Sequence, residues 1–294
     1  MNSVPYAFCE LVCGVLREIR EMNEMSADSS TNYAIWNQAA KRIWERRLDV
    51  TIFIGHADRT WSYKIEIRGK NLNYGRKLSF QEFTKLDRLH IHLTEVWIGY
   101  QFANRTSTST LEEIMEIFKF IAPCVNLSFM VISEKCTISK DDLSRLLSFY
   151  QNASFRRISC HYHDRASEQI LIAQMQTSAL EIFSIKGRGW TQELRLAIEE
   201  FVLNKDFRSI AVRSPSLQFG RAFFDALIQK PLFQKPSTFE ARFSFHSQEL
   251  MTSGFQDIGR SDFGQEMRWI RQDGVSVTIE QSKHLSVELK HPLM

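Results

Sequence analysis

The sequence predicts an α/β protein in which strand–helix units stack as a β/α solenoid. The first observation is a three-point pattern, apolar-x-x-apolar-x-apolar, that occurs five times. It runs Leu93-Val96-Ile98, Leu127-Met130-Ile132, Phe155-Ile158-Cys160, Leu180-Phe183-Ile185 and Phe207-Ile210-Val212, with starts 34, 28, 25 and 27 residues apart. The second is that each interval after a strand holds residues at helical spacing. The third is composition: 22 Phe against only 12 Gly and 6 Pro in 294 residues. Few breakers and many large apolar side chains suit long regular elements over a continuous core. A unit of about 25 to 35 residues cannot bury its own apolar face, and stacking supplies the missing partner. An ordinary α/β domain alternates in the same way, but the repeated three-point strand favours the solenoid.

Composition also excludes. With 44% hydrophobic, 12% aromatic and 24% charged residues, the chain is not a disordered one. A net charge of +3 is too small for bulk nucleic-acid or membrane binding. Cys9, Cys13, Cys124, Cys136 and Cys160 form an odd, scattered set, which suits a reducing compartment, cytoplasmic or nuclear. The apolar start has no Lys or Arg ahead of it and is broken by Glu10, so it does not read as a signal peptide. Lys119 and Pro123 interrupt the richest apolar run, which is too short to span a membrane.

Four segments follow in order. Residues 1–47 are helical. Phe8, Leu11, Val12, Val15, Leu16 and Ile19 fall on one stripe, with Val4-Pro5 at its start. Ser26–Thr31 reads as a loop, and Ile35, Trp36, Ala39, Ala40 and Ile43 mark a second helix. Residues 48–88 hold a β-hairpin and a connector. Val50, Ile52 and Ile54 alternate, as do Trp61, Tyr63, Ile65 and Ile67, around a five-residue loop, Gly55–Arg59. Residues 89–235 hold the β/α repeats. Their helices are marked by Leu111–Ile121, Leu143–Tyr150, a shorter stretch at Ile170–Met175, Leu194–Val202 and Phe219–Leu227. Residues 236–294 form an antiparallel β cap, which closes the solenoid or extends its sheet. It is built from Phe239–Phe245, strands flanking the turn Asp273-Gly274, and Leu285–Leu289.

These residues resemble a known plan. Val4-Pro5 followed by Phe8, Leu11, Val12 and Val15 resembles the opening of a divergent F-box, and Trp36 with Ala39-Ala40 its closing helix. The strand patterns resemble the core of leucine-rich repeats, although Gln101, Lys135, His163, Arg188 and Pro215 stand where those repeats carry asparagine. The layout resembles the F-box-like families expanded in nematodes. The resemblance implies a non-enzymatic substrate-recognition subunit of a cullin–RING (SCF-type) ubiquitin ligase. A Skp-type adaptor would then dock on Val4, Pro5, Phe8, Leu11, Val12, Val15 and Trp36.

No catalytic motif, P-loop or dinucleotide fingerprint is present, so neither an enzyme nor a cofactor is expected. His90-x-His92 and His161-x-His163 beside Cys160 suggest a metal, but Cys160 lies on the opposite strand face from its two neighbours. A metal is therefore not expected. The polar face of the strands offers a substrate surface: Trp97, Arg157, and the equivalent positions His161, Lys186 and Arg213. Strands stack about 5 Å apart, so these last three predict a basic ladder suited to an acidic or phosphorylated protein substrate. The alternatives are a scaffold without ligase function and a nucleic-acid module using Lys41, Arg42, Arg46 and Arg47. Glu45 and Asp49 interrupt that basic run.

Overall fold

The computed structural model describes residues 34–69, 76–102, 108–124, 126–177, 179–230, 237–245, 256–261, 264–270, 276–281 and 285–290. The chain divides into two compact units, residues 1–128 and 129–294.

In the first unit, helix α1 (Ala34–Arg46) buries Ala39 and Ile43 and leaves Lys41, Arg42 and Glu45 exposed. Strands β1 (Leu48–Ala57) and β2 (Thr60–Gly69) form the expected hairpin, paired from Leu48↔Gly69 to Ala57↔Thr60. The five-residue loop is corrected to a two-residue turn. Asp58 and Arg59 have φ of 51° and 61°, and a turn with φ positive at both positions matches the twist of the flanking strands. Strands β3 (Arg76–Leu78) and β5 (Thr108–Ser109) pair with β2, and β4 (Ile91–Ile98) lies parallel to β1. The short α2 (Phe80–Phe83) is held by a reciprocal Ser79–Glu82 capping box. Helix α3 (Leu111–Ile121) starts at the Thr110 cap and buries Ile114, Ile117, Phe118, Phe120 and Ile121. Phe83 meets Phe120 edge-on at 5.1 Å.

One irregularity explains the three-point motif at its first occurrence. Val50 pairs with Leu93, but Thr51 pairs with Glu95, so Thr94 is an extra residue in β4. Such a bulge shifts the alternation by one. Leu93, Val96 and Ile98 therefore all reach the core, while Glu95 and Trp97 turn to the opposite face.

In the second unit, β7 (Ser154–His161), β8 (Ile182–Lys186), β9 (Ser209–Arg213) and β10 (Ser237–Ala241) run parallel in that order. Strand β6 (Asn126–Ile132) contains the boundary between the units. β10 then pairs antiparallel with β14 (Leu285–Lys290). Strands β13 (Ser276–Gln281), β12 (Gly264–Ile270) and β11 (Gln256–Ser261) continue from β14 as an antiparallel meander. The helices are α4 (Lys140–Ser148), α5 (Arg165–Gln176), α6 (Gln192–Asn204) and α7 (Arg221–Gln229). Phe219 is not in α7. It precedes the helix, bridges to Phe243, and joins Phe223 and Phe239 in an aromatic cluster.

Buried polar side chains tie this unit together. Gln174 accepts from the Phe155 amide at 2.9 Å and donates to the Ala153 carbonyl at 2.6 Å. Glu168 is wholly buried, accepting from Arg165 at 3.0 Å and from the Thr191 amide at 3.3 Å. It thereby fastens the start of α6 to the first turn of α5. Lys230 donates to the Val202 carbonyl at 2.7 Å and to the Lys205 carbonyl, and its ammonium lies 4.8 Å from the Phe207 ring centre.

The leucine-rich-repeat-like solenoid is overturned. The protein is a mixed α/β fold with seven helices among the described residues, and its sheet neither closes nor coils. In the first unit β1 is parallel to β4 and antiparallel to β2; in the second, β10 is parallel to β9 and antiparallel to β14. Of the two roles expected for the C-terminal strands, capping or extending the sheet, the second holds: they extend the second unit's sheet edge to edge. The strand–helix alternation misled because an open α/β sheet produces it equally well.

Candidate functional site

The face of β1, β2 and β4 that turns away from the core carries Phe53, Lys64, Glu66, Glu95 and Trp97, all half-buried. Trp97 arrives there through the Thr94 bulge. Its indole N–H donates to Glu95 Oε2 at 2.7 Å, which fixes both side chains. Phe53, its direct partner across β1 and β4, lies with ring centres 6.2 Å apart and planes 25° apart.

The chain then returns to add two more rings. Gly99 has φ of 77°, a left-handed conformation that glycine adopts at little cost. The turn brings the Tyr100 amide onto the Ile54 carbonyl at 2.9 Å. Tyr100 sits 4.8 Å from Phe53, 6.2 Å from Trp97 and 5.0 Å from Phe102. Gly55 makes room. A Cβ there would lie 2.5 Å from the Tyr100 carbonyl and 2.7 Å from the Phe102 ring. Among the described residues only Tyr100 and Leu196 are exposed large hydrophobics, and Tyr100, at 37%, crowns a four-ring platform.

Charges frame the platform. Lys64 Nζ lies 5.3 Å from the Phe53 ring centre and is ion-paired with Glu66. Further along, Asp49 accepts from Arg47 Nε at 2.9 Å and from His92 Nδ1 at 2.8 Å. Burial works against the Asp49 charge, but these two hydrogen bonds and the Arg47 and His92 charges hold its carboxyl below the usual range. Arg47 is thus engaged in the sheet and not offered as part of a basic run.

The second unit carries the predicted ladder. His161 pairs with Lys186, and Lys186 with Arg213, in unbroken parallel register. The ladder is less basic than its residues suggest. Arg213 makes two 2.9 Å hydrogen bonds to the Glu240 carboxylate, and His161 Nε2 lies 4.0 Å from Glu134. Arg157 stacks 4.5 Å above the Phe129 ring.

The histidine–cysteine group is structural in geometry. His163 donates its Nε2 proton to the Ser133 carbonyl at 2.7 Å. Burial, aided by the neighbouring His161, pushes its pKa down. The Cys160 thiol is pushed up by burial and by Asp164 and Cys136, which makes it a poor nucleophile. Among the described residues no three His, Cys, Asp or Glu side chains are grouped to hold a metal.

Of the expected adaptor contacts, Val4, Pro5, Phe8, Leu11, Val12 and Val15 lie outside the described residues, as does the Asp273-Gly274 turn. Trp36 is half-buried on α1. Compared with known proteins, the chain matches no family model, no curated protein and no solved structure. No helix among the described residues is long and apolar enough to cross a membrane. Sequence reasoning found Trp97 but missed Phe53, Tyr100 and Phe102. The available signal was Gly99-Tyr100 directly after a strand, a turn that sends an aromatic residue back over the sheet.

Proposed function

We propose that the chain is a protein-interaction module that engages a partner through the Phe53–Trp97–Tyr100–Phe102 platform. One observation carries this reading: a bulge, a left-handed glycine and a close glycine contact together hold four rings on a solvent-facing sheet surface. Large rigid aromatic side chains supply contact area at low entropic cost, and they are enriched where binding energy concentrates. The F-box-like pattern of residues 1–47 supports a role as a substrate receptor for a cullin–RING ligase, with a Skp-type adaptor on that segment.

Affinity purification of the full chain tests both parts. Tyr100→Ala should lose the substrate-class partners and keep the adaptor. The double change Phe8→Glu with Leu11→Glu should lose adaptor and cullin and keep the others. An interactome unchanged by either variant would sink the proposal.

A further inference from the structure

We infer that the platform takes a cationic side chain, arginine or lysine, from an extended segment of the partner; this rests on the interaction reading above. The argument is charge complementarity. Beside the rings Lys64 is matched by Glu66, and further along Asp49 is matched by Arg47 and His92, while Arg68 and Lys77 stand on β2 and β3 opposite Asp49 and Glu66. Glu95 differs. Its carboxylate accepts from the Trp97 indole and has no cation facing it among the described residues. The uncompensated charge adjoining the Trp97 ring is therefore negative.

The same surface already displays the chemistry. Lys64 sits against the Phe53 ring while paired with Glu66, a cation held by an aromatic face and a carboxylate together. Glu95, Trp97 and the exposed ring of Tyr100 repeat the ring and the carboxylate on the adjacent strand. An arginine suits this place best. Its planar guanidinium can lie on an aromatic ring while its edge hydrogen-bonds a carboxylate. The indole bond holds Glu95 in place before binding, so little side-chain order is lost on docking.

The test uses the full chain and pools of immobilised random dodecapeptides whose central residue is fixed as Arg, Lys, Leu or Glu. The Arg and Lys pools should retain the protein about fivefold more than the Leu pool, and the Glu pool least. Glu95→Gln, which preserves an acceptor for the indole, should bring the Arg and Lys pools down to the Leu level. Equal retention on all pools, or preference for Glu, overturns the inference. If Tyr100→Ala lowers every pool equally, the platform binds peptide without charge preference: the inference fails and the interaction reading stands. If neither substitution changes any pool, both fail.

Discussion

Thr94 Oγ1 donates a 2.8 Å hydrogen bond to the Val50 carbonyl, at the step where β4 carries one residue more than β1. The hydroxyl pins the bulge, and the bulge aims Glu95 and Trp97 outward. Thr94→Val keeps the shape and removes the bond. A loss of about 1 kcal/mol is expected in urea unfolding, together with changed Trp fluorescence as the indole loosens. An unaltered midpoint and spectrum would mean the bulge holds without its anchor.

Gly55→Ala places a methyl group where the Tyr100 carbonyl and the Phe102 ring already stand. The backbone contact cannot rotate away, so the Tyr100–Phe102 segment must lift. We expect about 1–3 kcal/mol of destabilisation and increased protease sensitivity around Tyr100. A variant as stable and resistant as the parent would contradict the close approach.

The Asp58-Arg59 turn holds two non-glycine residues at positive φ. Arg59→Gly relieves one of them and creates the Asp-Gly pair that this turn type prefers. Thermal unfolding should move upward, by about 0.5–1 kcal/mol in stability. A downward shift would show that Arg59 contributes through a contact of its own.

Lys230 satisfies the Val202 and Lys205 carbonyls at the end of α6 from a nearly buried position. Lys230→Met keeps the bulk and leaves both acceptors unpaired. The expected cost is about 2–3 kcal/mol, read by chemical denaturation. A neutral effect would mean that water replaces the ammonium.

His163 gives a pH dependence. Burial depresses its pKa in the folded state relative to the ordinary value of 6.5. The unfolded chain therefore binds a proton first as pH falls, so the stability from neutral His163 is present above about 6.5 and lost below it. Stability measured from pH 7.5 down to 5.5 should decline, and His163→Gln should flatten that decline. Parallel curves for the two proteins would remove His163 as the cause.

Much of this architecture was legible in the order of residues. Alternation gave β1 and β2, and the three-point motif marked the five strand positions; in β4 one skipped residue lets Leu93, Val96 and Ile98 share a face. The register of His161, Lys186 and Arg213 followed from equal spacing behind those points. What escaped depends on contacts between distant residues. Glu240 neutralises Arg213 from β10, a strand assigned on sequence to a separate C-terminal cap. Tyr100 and Phe102 reach the platform only through the turn at Gly99. Asp58-Arg59 lacks the glycine that announces a tight hairpin. The solenoid expectation failed because strand–helix alternation constrains neighbours in sequence and says nothing about how the ends of a sheet are finished.

The sheet of the second unit also sets an order of assembly. β7, β8 and β9 each pair with the next strand in the chain, so these pairings can form as the polypeptide emerges from the ribosome. The far edge of β10 waits longest, because Ala241 pairs with Leu285 and Ser237 with Leu289. Until the last strand is synthesised, that edge presents unpaired backbone donors and acceptors, the surface through which nascent chains aggregate or recruit chaperones. Truncation before Leu285 should therefore lower soluble yield far more than its length suggests, since it leaves the final seam of the sheet open.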